Sequence, residues 1–490
     1  MPDKTLFKYT LVLCLTALLA FPEASAQFGN TYYHMFGVPQ ANQLNPAFQP
    51  QCDGYFGLPF VGPIRFEVES NGLQYGDIFQ YNSSLKKNIS FMHPEGNKQN
   101  FMNALEPVNT VRAELASNII SIGWRREQLF FTVDFTERMI ESTSFPKDFA
   151  EFLVYGNLNQ NNFNFSDLSQ NLMYFHEFAV GASYNFDDEM QFGIRAKLLL
   201  GGASSTTRTS DINLKTSIDE WSVKSNVKVD ATIPFLEDLP VDQDGYLDVD
   251  SLANTDFNLL FGFPTSIPEL LSPSSLSTIG GIKNPGFAID FGFNYLPIEK
   301  LNISASVIDL GFIRWKEYVY NFEQDLDYTF DGLEFKLEDD WSPGDGLLDS
   351  LQNDLQVKVT EEKFTTTLSA KVYLGVAYDL TERVRFGGVF RTRIYNYQFY
   401  NQFTVSANVM PISMFSMSLS YSYYGNSYMN LGLGLSLRLG PLNVYFISDQ
   451  APSSYFWPSE FSSLNFRLGV NIVWGCRALP KAMKDRPLID

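Results

Sequence analysis

Three histidines and three cysteines in 490 residues leave little material for metal or nucleophilic chemistry. The chain holds no Gly-x-Ser-x-Gly elbow, no His-Glu-x-x-His, no glycine-rich phosphate loop ending in Lys-Ser or Lys-Thr, and no Cys-x-x-Cys. His34, His93 and His176 are scattered, and one histidine without a located partner specifies no reaction. Basic residues are also scarce. Against 55 Asp and Glu stand 35 Lys and Arg, a formal charge of -20 that argues against a nucleic-acid partner. Beyond the first residues no apolar run approaches the ~18 needed for a spanning helix, and no repeat of solenoid period is visible.

What the sequence does have is alternation. From Phe415, the residues Phe415, Met417, Leu419, Tyr421 and Tyr423 share one side of a pleat, and Ser416, Ser418, Ser420 and Ser422 share the other. The same period of two runs through Met429–Leu439 and Leu464–Trp474. Passes of ~9 to 11 residues suit tilted strands crossing a bilayer. Aromatics at 15%, with 44 Phe and 25 Tyr, fit such a barrel, as does a mean hydropathy of -0.11.

Similar alternation marks Thr110–Trp124, Gln128–Glu141, Tyr174–Phe186, Met190–Gly202, Gly286–Tyr295, Leu301–Asp309, Phe364–Tyr378, Val384–Tyr395 and Tyr400–Val409. Less regular segments lie near Thr206, Val223, Tyr318 and Leu442. The expected fold class is all-β, a closed antiparallel transmembrane barrel of about 14 strands. Long interruptions at Gln80–Asn109, Ser142–Asn171 and Pro234–Asn284 are expected to be extracellular, with a short helix over Pro146–Tyr155.

The ends have their own signals. Lys4 and Lys8, the apolar run Leu11–Phe21 and the small residues Ala24, Ser25 and Ala26 read as a secretory signal over residues 1–26. Residues 27–52 read as an amino-terminal arm or plug, 53–476 as the barrel and 477–490 as a periplasmic tail. Cys52 precedes the first strand and Cys476 follows the last. Closure of an even-stranded barrel brings both to the periplasmic side, within reach of a disulfide or as two unpaired thiols.

Gln40 to Phe48 spells Gln-Ala-Asn-Gln-Leu-Asn-Pro-Ala-Phe and precedes the strand Tyr55–Phe60. This stretch, with the terminal Phe-Arg-Leu-Gly-Val-Asn-Ile-Val-Trp-Gly, resembles FadL-type barrels, the long-chain fatty-acid transporters and their relatives. Within that group the chain looks similar to a family of Bacteroidota outer-membrane proteins of unknown role, and to the shuttle barrel of type IX secretion. The resemblance covers most of the chain in pattern and only these two stretches in words. It implies an outer-membrane location and an arm plugging the lumen through Asn45, Pro46 and Ala47.

If the oily parity meets lipid, the opposite parity lines the lumen with Arg138, Arg195, Lys197, Lys371, Arg385, Arg391, Arg393, Arg438 and Arg467. Asp134, Glu177 and Asp290 are their acidic company, so the interior reads as net basic. Such a chamber could hold a carboxylate or phosphate, or its arginines could pair with acidic loops folded inward. Asp242, Asp244 and Asp248 imitate part of a calcium loop whose first and last ligand places are Pro240 and Ser251. A plain acidic turn is the alternative. The acidic stretch Asp325–Asp354 reads as a solvated loop.

The leading expectation is a non-enzymatic barrel, without cofactor, that carries or binds a hydrophobic or amphipathic anion. The alternative is an assembly or secretion partner that engages another envelope protein. A barrel hydrolase comes third and needs a serine within reach of His176.

Overall fold

The computed structural model describes residues 30–59, 62–217, 220–234, 239–248, 284–330, 356–395, 398–423, 430–456, 459–460 and 462–476. The expected signal segment 1–26, the tail 477–490 and the acidic stretch beyond residue 330 lie outside the described residues.

Each apolar-polar repeat becomes a strand with its polar parity turned inward. In Ser463–Trp474, Asn465, Arg467 and Asn471 are buried while Leu464, Phe466, Ile472 and Trp474 are exposed. Carbon outside and amides inside invert the order of a water-soluble sandwich, and a surrounding hydrocarbon phase accounts for the inversion.

In chain order, the first wall strand is broken into β1 (Gly54–Gly57) and β2 (Ile64–Ser70). A hairpin, β3 (Phe79–Asn82) and β4 (Lys87–Ser90), stands in the loop that follows. The wall continues with β5 (Val108–Arg126) and β6 (Leu129–Pro146). After a helix Lys147–Tyr155 capped by Pro146 come β7 (Asn162–Asn164), β8 (Ser169–Asn185) and β9 (Met190–Thr216). Next are β10 (Trp221–Thr232), β11 (Pro285–Ile298), β12 (Leu301–Trp315) and β13 (Val319–Phe330). Then follow β14 (Val357–Thr360), β15 (Phe364–Thr367), β16 (Ala370–Thr381), β17 (Val384–Tyr395) and β18 (Gln398–Ile412). The last four are β19 (Phe415–Tyr423), β20 (Leu431–Leu439), β21 (Leu442–Ser448) and β22 (Ser463–Trp474).

These make a closed antiparallel barrel of 14 wall strands. One end carries short turns, as between Arg126 and Leu129, and the other carries the long loops. Closure is made by β22, which pairs with β1 at Tyr55↔Val473 and with β2 at Phe66↔Phe466.

Two expectations need correction. The first strand does not run as Tyr55–Phe60: Pro59 and Pro63 cannot donate to a ladder, so β1 stops at Gly57 and β2 resumes at Ile64. The segments near Val223 and Tyr318 are not wall strands. β9 has 27 residues, more than a bilayer needs; its first part pairs with β11 and its upper part with β10, which pairs with β13. β10, β13 and β14 therefore extend the sheet beyond the wall at the long-loop end, and Asp325 and Asp327 lie in that extension.

Cys52 and Cys476 form a disulfide across the seam, with Cα atoms 3.9 Å apart and a sequence separation of 424. Peptide mapping without reductant is expected to recover the two cysteines in one linked species. Reduction should then lower the unfolding stability by up to ~5 kcal/mol on the chain-entropy argument. Alkylation of both thiols in unreduced protein would refute the link.

Candidate functional site

Residues 30–52 do not pass beneath the barrel; they fill its lower lumen. Asn45 has no exposed surface and Pro46 is buried beside it, and Tyr32, Tyr33 and Leu44 pack with Ile308, Tyr373, Val389, Tyr445 and Ile447 of the wall. The arm's backbone bonds partly within its own turns and partly to wall side chains. Ser416 Oγ donates to Phe36 O at 2.6 Å, Ser418 Oγ to Thr31 O at 3.0 Å and Ser436 Oγ to Gly37 O at 3.0 Å. Thr31 N donates to Asp449 at 2.9 Å, and Thr31 Oγ1 lies 2.7 Å from Ser420 Oγ. The serine face of β19 is thus the arm's docking rail, because short hydroxyls reach a backbone without filling the bore.

Across the lumen, Asn45 Nδ2 donates to the wall carbonyls of Phe293 at 3.2 Å and Ala305 at 3.4 Å, while its Oδ1 accepts from Ala47 N at 3.0 Å. The seat is two register partners, Gly193 and Gly292. A Cβ on Gly193 would lie 2.1 Å from the Pro46 carbonyl carbon, and one on Gly292 would lie 2.2 Å from Asn45 Oδ1. Only glycine admits the Asn-Pro-Ala turn so close to the wall.

The charged residues expected in the lumen do face it, and seven of them, Asp134, Arg138, Glu177, Arg195, Lys197, Asp290 and Lys371, converge. Arg138 donates to Asp309 at 3.0 and 3.1 Å, to Glu114 at 3.0 Å and to Glu177 at 2.8 Å. Lys197 reaches Asp309 at 2.6 Å and Asp290 at 2.8 Å, Lys371 reaches Asp309 at 3.2 Å, and Arg195 bridges Asp134 and Asp290 at 2.8 and 3.3 Å. Arg393 pairs with Glu69 at 3.1 Å, and Arg385 pairs with Asp379 through two bonds of 2.6 and 3.1 Å. Arg391 lies over Tyr373, Arg467 lies 4.2 Å from the Tyr32 ring centre, and Arg438 approaches Cys52 Sγ at 4.0 Å.

The interior holds more acid than the inward parity announces. Glu69, Glu114, Asp309 and Asp379 pair with Arg393, Arg138, Lys197, Lys371 and Arg385, and they come from wall strands, not from inward-folded loops. Asp309 escapes a parity reading because β12 bulges there against Ile289 and Phe291, with Asp309 in the left-handed region at φ 61°. That turn swings an outward position inward, and aspartate tolerates it better than most residues. Glu69 was missed with β2.

His176 accepts no serine among the described residues. Its Nδ1 lies 2.7 Å from Glu137 Oε1, and Tyr174 OH donates to Glu137 Oε2 at 2.7 Å. All three are buried on the outward parity, with Glu137 in the place beside His176 where the hydrolase expectation needs a serine. Asp242 Oδ1 accepts the backbone N–H groups of Asp244 and Tyr246 at 2.9 and 2.8 Å. It closes its own turn, and among the described residues no group of three His, Cys, Asp or Glu could hold a metal ion.

His34 sits in the arm, edge-on to Tyr33 at 4.8 Å and 3.4 Å from Gly388 O. Burial, and then the charge of Arg385, lower its pKa to about 3, against the opposing pull of Gly388 O and Asp379. Below the arm a cavity of about 680 Å³ opens at the short-turn end, lined by Met35, Phe36, Phe48, Leu296, Asn302 and Met410 among others.

A family of unknown function, DUF5723, matches residues 46–449. The chain belongs to that family. No curated protein matches it significantly. Among solved structures, this DUF5723 chain is similar to the toluene transporter TbuX of Ralstonia pickettii at 10% identity and TM-score 0.42, over 91% of this chain and 98% of that one. A FadL homologue of Pseudomonas aeruginosa is similar at 9% identity and TM-score 0.39, over 93% and 100% of the two chains. The barrel assignment rests on the strand register above.

Two predictions follow from the lumen. Asp309→Ala leaves Arg138, Lys197 and Lys371 short of a carboxylate in a buried setting, and the loss of unfolding stability is expected to be about 3 to 5 kcal/mol. Asp309→Asn, which keeps the shape, should lose less in the same heat-unfolding assay. The second concerns pH. The unfolded chain protonates His34 near pH 6.5 and the folded arm only near pH 3. Its contribution is constant above pH 6.5 and falls by about 1.4 kcal/mol per unit as pH drops below that value, until pH 3. Protease sensitivity of the arm should rise between pH 7 and 5 in the parent and stay flat in His34→Asn.

Proposed function

We propose that this barrel carries a hydrophobic or amphipathic small molecule across the outer membrane, with the arm as its gate. The observation behind the reading is how the arm is held. It takes no part in the wall's ladder; apolar packing and side-chain hydrogen bonds hold it, and such bonds exchange readily with water as the arm moves. By the usual asymmetry of such barrels, the short turns and the cavity face the periplasm. A carboxylate held by the central arginines does not fit this picture, since Asp309 and Glu114 already occupy those donors and would have to be displaced. The hydrophobic part of the expectation stands without the anionic part.

The partner reading has one observation in its favour. The sheet extension rises beyond the wall, and Tyr455 and Phe456 at the same end are 81% and 65% exposed. Co-purification in mild detergent tests it, and a lone barrel counts against it.

The gate is tested by locking it. Thr31→Cys with Ser420→Cys replaces two oxygens 2.7 Å apart by thiols that can bond. In oxidised proteoliposomes the locked barrel should pass a labelled alkane, alcohol and fatty acid at least tenfold more slowly than the parent. Reductant should restore the flux while leaving the parent, whose Cys52 and Cys476 are also exposed to it, little changed. Parent-like flux through the locked barrel would defeat the proposal.

A further inference from the structure

The cavity beneath the arm has a polar end that the wall's own hydrogen bonds leave unfinished. Gln191, Asn294 and Asn302 line it from β9, β11 and β12, which lie side by side. Their exposures are 4%, 4% and 7%. Asn294 Nδ2 donates to Gln191 Oε1 at 2.8 Å, yet Asn294 Oδ1 and Asn302 Oδ1 have no hydrogen-bond partner among the described residues. Buried acceptors are rarely left so, because each gives up water and gets nothing back. Two of them beside a space of about 680 Å³ ask for a donor.

The rest of the lining limits what can carry that donor. Met35, Phe36 and Met410 offer hydrocarbon and thioether surface. Of the cations in the lining, Arg385 is engaged by Asp379 through two bonds, Arg383 donates to Pro411 O at 2.8 Å and Arg125 donates to Pro50 O at 2.7 Å. Glu299 and Glu382 line the cavity together with Lys300 and Arg383, and an entering carboxylate, which has no hydrogen to donate, would leave Asn294 Oδ1 and Asn302 Oδ1 as they are. A volume of this size is ordinary for a small-molecule site with few polar anchors.

We infer that this cavity binds an uncharged amphipath, a hydrocarbon chain ending in an O–H or N–H donor such as a long-chain alcohol or primary amide. The donor meets Asn302 and Asn294, and the chain lies along the methionine and phenylalanine surface. The transport reading is needed only to say why the molecule is there; the binding itself stands apart from it.

The test uses the full chain in lipid nanodiscs with two photoreactive probes, a diazirine-bearing dodecanol and the matching dodecanoic acid, and maps labelled peptides by mass spectrometry. The alcohol should label the peptides around Asn294–Asn302 and Met410–Ser416, with the acid at least fivefold weaker. Asn302→Leu replaces an atom that has no partner in the fold, and it should reduce labelling about tenfold. Ala41→Trp, which fills the space from the arm, should abolish it. Retention of the Cys52 and Cys476 link is the folding control for both variants. Equal labelling of Asn302→Leu and parent, acid labelling as strong as alcohol, or label confined to the lipid-facing wall with only water in the cavity would each overturn the inference. Flux lost with labelling intact refutes the transport reading alone, and labelling absent with flux intact refutes this inference alone.

Discussion

Charge neutralisation around Asp309 and Glu114 is the constraint on which the rest of the barrel depends. Moving ions out of water costs several kcal/mol each, and the cost is recovered only where every charge meets its opposite in good geometry. Here Arg138 touches Glu114, Glu177 and Asp309, which ties β5, β6, β8 and β12 together through one guanidinium. The bond pattern requires the bulge in β12. A regular strand would turn Asp309 towards lipid and leave three cations in the bore without their shared carboxylate. A backbone irregularity costing on the order of 1–3 kcal/mol is thus held in place by the charges it satisfies.

That knot sets the height at which the lumen is filled, and the arm fills what lies below. Its two sides meet different chemistry. Towards β19 and β20 it meets hydroxyls, and towards β9 and β11 it meets glycine backbone at Gly193 and Gly292. On the outer surface of the same wall Phe192, Ile194, Phe291, Phe293 and Leu374 border an apolar groove. One sheet thickness separates the Asn-Pro-Ala turn from that groove.

The wall was legible because lipid outside and polar lumen inside impose a period of two that local disorder of sequence does not erase. The places of most wall strands, the pairing of the last strand with the first and the inward direction of Arg138, Arg195, Lys197 and Lys371 follow from it. Its failures have separate causes. Pro59 and Pro63 interrupt the first strand, so β2 and Glu69 were not seen. Asp309 changes face through a backbone angle that no side-chain pattern announces. Val223 lies in a stretch that alternates without entering the membrane, because a sheet that continues past a wall keeps the same pleat. Glu137 breaks the pattern in the other direction, a carboxylate on the lipid parity sheltered by Tyr174 and His176. The asparagine row under the arm is invisible in sequence, since nothing in the pattern sets Asn294 and Asn302 apart from the barrel's other buried amides; what singles them out is the cavity they line.

The arm's contacts also order events in assembly. Gln40 bonds Asn471 of the last strand at 2.6 Å, and Asn45 bonds carbonyls of β11 and β12 at 3.2 and 3.4 Å. Those strands stand on different sides of the bore and come together only when β22 reaches β1. An arm docked at both places therefore exists only in a barrel whose circumference is complete. It works as a gauge of closure, with the disulfide at its base fixing the state that it has measured.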